Sequence, residues 1–423
     1  MGRRPLEFLS SLPDLGDLVV LRLGTRPAYL PCHPELVHQV LLNARVYDTG
    51  GPVKEKARPI LGNGLITSDW ADHRRQRRMV QPAFQQARIA GYGHVMRTEC
   101  EALALAWKPG LTVDISDAMQ GLTARITARA LFATEMAPQS VAEIQHSLPL
   151  VVHGAYRQAM DPTGLFKKLP LRAHREFDAA LARLNTLIQG IIAGQRRAGE
   201  DLDDVLSALL SARDENDAGL SDQEVHDQVM TLLLAGVETT ASALAWAWHL
   251  LAANPAVEEA LHAEVDEVLA GRTPEYADVP ELALTQRILT ETLRLYPPAW
   301  MFTRMTTQET ELGGTRLPAG ADVLVSPYVI HRIPELFPEP ETFDPDRWLP
   351  ARAGDVARGS YLPFGGGSRK CIGDVFGMTE ATLALAALAA RWRLHPAAPG
   401  TTVRPRAAMS LVPGPLPMVV APR

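Results

Sequence analysis

From Trp70 to about Leu269 the apolar residues recur at three- and four-residue spacing, the period of a helix with one buried face. The pattern breaks at Lys108-Pro109-Gly110 and between Asp214 and Gly219, where turn-forming residues cluster. Residues 1–60 read differently. Leu18-Val19-Val20-Leu21-Arg22-Leu23 and Pro27-Ala28-Tyr29-Leu30 are short strand-like runs separated by a turn at Gly24. Three helices have legible ends. Ser221-Asp222-Gln223-Glu224 is a capping box, in which hydroxyl and carboxylate satisfy the free N–H groups that open a helix. The apolar pattern then runs to about Ala253 and stops at Asn254-Pro255. At 1.5 Å per residue such a helix is about 45 Å long, enough to cross a whole domain. A second helix is predicted from about Glu281 to Tyr296, stopped by Pro297-Pro298, and a third from Asp374 to Ala390. No repeat, linker or composition shift divides the chain. The expectation is one mostly α domain with a minor β-sheet region over residues 1–423.

Composition narrows the functional classes. The chain has 423 residues, 46% hydrophobic and 21% charged, with a net charge of −6, so it can build a core and is not a disordered tail. The acidic balance and the lack of a Lys/Arg-rich run leave little for a nucleic-acid backbone to bind. Glu7, Pro13 and Asp14 interrupt the N-terminal apolar stretch, and no apolar run approaches the roughly 20 residues of a membrane span. A cytoplasmic protein without a membrane anchor is expected. Cys32, Cys100 and Cys371 form no CxxC pair, which argues against a disulfide framework or a cysteine zinc site.

Only Cys371 has a chemical setting. It lies in Phe364-Gly365-Gly366-Gly367-Ser368-Arg369-Lys370-Cys371-Ile372-Gly373, just before the helix predicted from Asp374. A thiol there should have its pKa lowered by the helix dipole and by free backbone N–H groups. The glycines let the backbone fold closely around the sulfur, and Gly373 would let a flat cofactor lie against the turn. Arg369 could pair with a carboxylate on that cofactor. A buried structural cysteine is the bland alternative. The chemical reading is a single thiolate ligand to a soft metal, for which haem iron is suited because the porphyrin supplies four nitrogens.

Phe364, Gly367, Arg369, Cys371 and Gly373 match the FxxGxRxCxG signature, and on these residues the chain resembles the cytochrome P450 superfamily of haem-thiolate monooxygenases. Further family features follow in order between Trp70 and Gly373. The resemblance implies the P450 fold, one haem b per chain with Cys371 as its axial ligand, and a cofactor cradle that includes Phe364, Gly365 and Ala235. Trp70 and Arg74, in the WxxxR pattern, would share a haem propionate. The run Arg74-Arg75-Gln76-Arg77-Arg78 could equally be a basic face, or a docking patch for an acidic redox protein. Arg304 and His331 are lesser propionate candidates, better suited to local packing.

Ala235-Gly236-Val237-Glu238-Thr239-Thr240 falls in the middle of the long predicted helix. Gly236 and the Thr pair are poor helix formers, so a bulge that admits water is expected there. By resemblance, Glu238 and Thr239 deliver protons to bound dioxygen. Glu291 and Arg294, an i,i+3 pair, would form with Arg347 a buried structural network that holds the Cys371 loop. Ala235, Thr240 and the bulky Trp300-Met301-Phe302 stretch would line an apolar substrate pocket.

The activity implied is insertion of one atom of dioxygen into a C–H bond of an apolar small molecule. No flavin or iron–sulfur segment follows the haem motif, so electrons from NAD(P)H are expected through a ferredoxin and its reductase. Pro5 to Pro13 and His73 to Arg78 are similar to the bacterial pentalenene oxygenases, which points toward a sesquiterpene and secondary metabolism. A polyketide or steroid substrate, an isomerase or dehydratase that needs no external electrons, and a non-catalytic haem gas sensor are the rival readings.

Overall fold

The computed structural model describes residues 4–23, 26–132, 136–159, 171–199, 202–352, 354, 356–357, 359–398, 400 and 402–423. Gly24, the expected turn, lies outside them. Helices dominate from Trp70 onward. Trp70–Val80, Gln86–Ala106, Ile115–Phe132, Pro138–Ala159 and Arg172–Ala198 precede the central helix Asp222–Ala253. That helix begins at the predicted capping box, with Ser221 and Glu224 bonding reciprocally, and ends at Asn254. Most of its circumference is covered, and both Trp246 and Trp248 are essentially inaccessible to solvent. It is long and apolar enough to cross a membrane, yet 72% of its most apolar window is buried inside the protein. Its apolarity is therefore spent on the core.

The helix stopped by the double proline spans Ala283–Leu295, and the helix after Cys371 spans Asp374–Ala389. Residues 1–60 are less sheet-like than their pattern suggests. Besides the strands Leu18–Leu23 and Arg26–Pro31 they form helices Pro5–Ser10, Pro34–Leu42 and Gly51–Leu61. Each of the three has a proline in its first turn, where the missing N–H costs nothing, and these prolines read as breakers in a linear pattern.

The main sheet has five strands in the order Leu18–Leu23, Arg26–Pro31, Asp322–Val325, Phe302–Thr306 and Tyr47–Asp48. The second and third run parallel; the other neighbours are antiparallel. Near the C-terminus, Arg406–Ala407 pairs with Leu411–Val412 in a tight hairpin.

Candidate active site

Several elements distant in sequence converge on the Cys371 loop. Its backbone is closed by the Cys371 N–H donating to the Phe364 carbonyl at 2.9 Å and the Lys370 N–H donating to the Gly367 carbonyl at 3.2 Å. Gly367 has φ +65°, and a Cβ there would lie 2.0 Å from the Leu41 carbonyl oxygen, so this position admits no side chain. Gly365 has φ +67°, with Phe302 the nearest side chain to its missing Cβ at 3.9 Å. Gly373 is the N-cap of the following helix and has only Phe84 within 4 Å of its missing Cβ, at 3.8 Å.

Cys371 is exposed, whereas Cys32 and Cys100 are buried. The lowered thiol pKa expected from the helix N-terminus is not what the loop produces. Although the residue as a whole is exposed, desolvation of the sulfur raises it, as does the Asp374 charge; the Gly373 N–H, Arg77 and Lys370 act the other way and are outweighed. Among the described residues no group of three or more His, Cys, Asp or Glu could hold a metal ion.

Arg369 is tucked under the loop with its side chain only 5% exposed. Its Nη2 donates to Asp48 Oδ1 and, at 3.0 Å, to the Ser68 carbonyl, while Nε and Nη1 are buried without a hydrogen-bond partner. Arg304 is buried next to it, and burial together with the Arg369 charge lowers its pKa to about 10. His73 is pushed down to about 3 by burial and by Arg369, Arg77 and Arg304, so it stays neutral. Asp48 organises this cluster and carried no signal in the sequence. Besides Arg369 it accepts from the Thr49 N–H at 2.7 Å and the Trp70 N–H at 2.8 Å, tying the strand, the loop and the helix bearing Trp70 together. Arg74 stacks on Trp70, with its guanidinium carbon 4.9 Å from the ring centre.

The other arginines of that helix are not a free basic face. Arg75 pairs with Asp214 and Glu224, Arg78 pairs with Glu215, and Arg77 donates to the Lys370 carbonyl. His331 also differs from a propionate ligand. It is fully buried, with Nδ1 on the Arg294 carbonyl at 3.1 Å and Nε2 accepting from the Leu362 N–H at 2.8 Å.

Ala235 to Thr240 lie in the one stretch of the middle of the central helix that is not fully covered: Leu234, Ala235, Gly236, Glu238 and Thr239 are half-buried. The expected bulge is absent, and the helix runs on without a break. Helix packing compensates for the weak formers. Gly236 accommodates Thr127, which would sit 3.3 Å from a Cβ, and Thr123 donates to the Val237 carbonyl at 3.0 Å. The Thr239 hydroxyl does turn back onto its own helix, donating to the Ala235 carbonyl at 2.8 Å. Glu238 has its pKa raised to about 7 by burial, against hydrogen bonds from the Ser410 N–H and hydroxyl. Thr240 turns toward the Cys371 helix, where its hydroxyl lies 3.5 Å from the missing Cβ of Gly377 and acts on the buried Glu380. It is therefore a helix-packing residue rather than a pocket wall. Glu380, which the sequence pattern did not single out, is fully buried, and desolvation pushes its pKa well above the usual carboxylate range.

The Trp300-Met301-Phe302 stretch is divided. Trp300 and Met301 belong to a core cluster with Leu6, Leu9 and Leu30, and the Trp300 indole donates to the Ala408 carbonyl at 3.1 Å. Only Phe302, under Arg304 and beside Gly365, faces the site. Trp300 and Met301 precede the strand Phe302–Thr306, whose alternation places Phe302 and Arg304 on one face.

Comparison with known proteins gives these features a common frame. The cytochrome P450 family profile matches residues 7–420. This chain belongs to the cytochrome P450 family. The P450 is 70% identical over 425 residues to a cyclooctatin synthase of Streptomyces melanosporofaciens, covering 100% of this chain and 92% of the relative. It is 53% identical over 424 residues to a cyclooctat-9-en-7-ol 5-monooxygenase of the same organism, with the same coverage. A pentalenene oxygenase of Streptomyces avermitilis is 46% identical over 405 residues, covering 96% and 90% of the two chains. Among solved structures, a cytochrome P450DA heme domain superposes with a TM-score of 0.90 at 28% identity, covering 100% of this chain and 94% of that one. The protein is thus a P450 monooxygenase with a haem iron cofactor. The donor set fits that group, since a lone thiolate loop sits beside a buried guanidinium with two unpartnered nitrogens, as a propionate would require.

Proposed function

We propose that this P450 hydroxylates a cyclooctatin-type terpene, with Cys371 as the residue that would hold the haem iron and the Glu238–Thr239 pair delivering protons. When bound, the haem supplies activation of dioxygen, which with two electrons and two protons places one oxygen atom in a substrate C–H bond and the other in water. Arg369, Arg304, Arg74 and Trp70 would hold the haem carboxylates, and Phe364, Gly365, Gly373 and Ala235 would complete the cradle. The Glu291–Arg294–Arg347 network fixes the approach to the loop and takes no part in the chemistry. Glu238 carries the reading. An acid held near neutrality in a half-open stretch of an otherwise buried helix can give up a proton and be recharged at physiological pH. An isomerase or a gas sensor has no use for such a group.

The identity gradient favours the cyclooctatin skeleton over pentalenene, because resemblance falls from 70% to 46% between relatives named for the two. Electrons come from NAD(P)H through a ferredoxin and its reductase. The test is to supply the haem-loaded protein with cyclooctat-9-en-7-ol carrying a 5-hydroxyl group or with pentalenene, a ferredoxin, its reductase and NADPH. A spin-state shift and a product carrying one atom from labelled dioxygen are expected with the first substrate. Conversion without NADPH would instead assign an isomerase or dehydratase.

A further inference from the structure

Glu238, Ser242 and Trp246 recur every four residues along the central helix and so share one face. All three meet the C-terminal hairpin. Ser242 Oγ and Trp246 Nε1 donate to the Leu411 carbonyl at 2.7 and 2.8 Å, and the adjacent Ser410 lies against Glu238, where its N–H and hydroxyl favour the charged carboxyl group. The hairpin is fixed from its other sides too. The Leu411 N–H donates to the Pro298 carbonyl at 3.1 Å, the Trp300 indole to the Ala408 carbonyl at 3.1 Å and the Tyr156 hydroxyl to the Ala407 carbonyl at 2.7 Å. Ser410 is 3% exposed and Leu411 is fully buried, so the turn cannot slip without stranding polar groups in the core.

We propose that Ser410 is a positioning residue for Glu238: mounted on a hairpin keyed to the central helix, it sets the orientation of the carboxyl group relative to Thr239. The proposal rests on the reading of Glu238 as the proton-delivering acid. Two donors favour the carboxylate, whereas burial favours the neutral acid. No charged side chain is among the groups that shift Glu238, which leaves Ser410 as the counterweight to burial. The same hairpin meets Trp300, so the segment after the double proline and the acid are located by one element.

The test compares Ser410→Ala and Ser410→Thr in the haem-loaded enzyme with its redox partners. Loss of the hydroxyl disfavours the charged form of Glu238, so the alkaline limb of the pH–rate profile should move up by about 0.4–1 pH unit. Peroxide released per NADPH consumed should rise severalfold, while the carbon monoxide Soret band and substrate spectral affinity stay within about twofold. Ser410→Thr, which keeps the hydroxyl, should restore both readouts. An unmoved limb and unchanged coupling in Ser410→Ala, when Glu238→Gln uncouples the enzyme, overturn the role of Ser410 alone. Unchanged coupling in Glu238→Gln overturns the proton-delivery reading and this proposal with it. Should Ser410→Ala not fold, Ser410→Cys, with its weaker donor, must give an intermediate shift; a wild-type limb there also overturns the role.

Discussion

Glu291 and Arg294, both wholly inaccessible to solvent, form a two-pronged ion pair: Arg294 Nε donates to Oε2 at 2.9 Å and Nη2 to Oε1 at 2.8 Å. Each partner is also committed elsewhere. Arg294 donates to the carbonyls of His331, Pro340 and Thr342, and Glu291 accepts from Arg347 at 3.4 Å, the Trp348 indole at 2.8 Å and the Asp344 N–H at 3.2 Å. The pair therefore binds the helix Ala283–Leu295 to the segment leading toward the Cys371 loop.

Removing the Glu291 charge should strand two buried guanidiniums. Glu291→Gln is expected to lower unfolding stability by about 3–5 kcal/mol and to reduce the haem-loaded yield, measured by urea titration and the Soret-to-protein absorbance ratio. Arg294→Lys should fare little better, since an ammonium cannot span the carboxylate and three carbonyls with the planar fork of Arg. A variant within about 1 kcal/mol of wild type would show that the pair does not brace this region.

The Thr239 hydroxyl, bonded to the Ala235 carbonyl, can be removed without leaving a buried donor unpaired. Thr239→Ala should consequently fold and bind substrate normally but divert electrons to peroxide, with product per NADPH falling severalfold. Equal coupling in variant and wild type would remove Thr239 from proton delivery.

Glu238 also makes a prediction about stability. Its pKa in the folded protein is about 7, against an ordinary value of 4.5 when unfolded, so the folded state binds the extra proton between these limits. Stability linked to this group is then fully present below about pH 4.5, falls as pH rises toward 7, and is constant above it. The total is about 3 kcal/mol at 1.36 kcal/mol per pH unit. Glu238→Gln should flatten that slope in urea titrations between pH 5 and 8. A slope equal to wild type would mean that Glu238 titrates normally in the fold.

The loop glycines should separate by role. Gly367→Ala places a Cβ against the Leu41 carbonyl in a positive-φ backbone and should prevent the loop from closing, which lowers the melting temperature even without haem. Gly373→Ala meets only Phe84 at ordinary contact distance and should leave the apoprotein's melting temperature unchanged while reducing haem content. Equal effects of the two substitutions on the apoprotein would contradict this division.

What the sequence determined by itself was local or carried by a compact motif. The Ser221 capping box, the Asn254-Pro255 stop and the apolar period between them delimited the central helix, because hydrogen bonding at helix ends is a short-range affair. The ten residues from Phe364 to Gly373 marked the Cys371 loop because that motif is contiguous in the chain. Tertiary structure alone decided which distant groups serve that loop. Asp48 and Ser410 lie in stretches with no distinctive pattern, and only chain folding brings one to Arg369 and the other to Glu238. It also decided that Arg75 and Arg78 are spent in ion pairs, that Trp300 joins a core cluster and that Thr240 turns toward Glu380. A linear pattern gives spacing along an element; the partner across a packed interface, which fixes burial and charge, depends on how the elements meet.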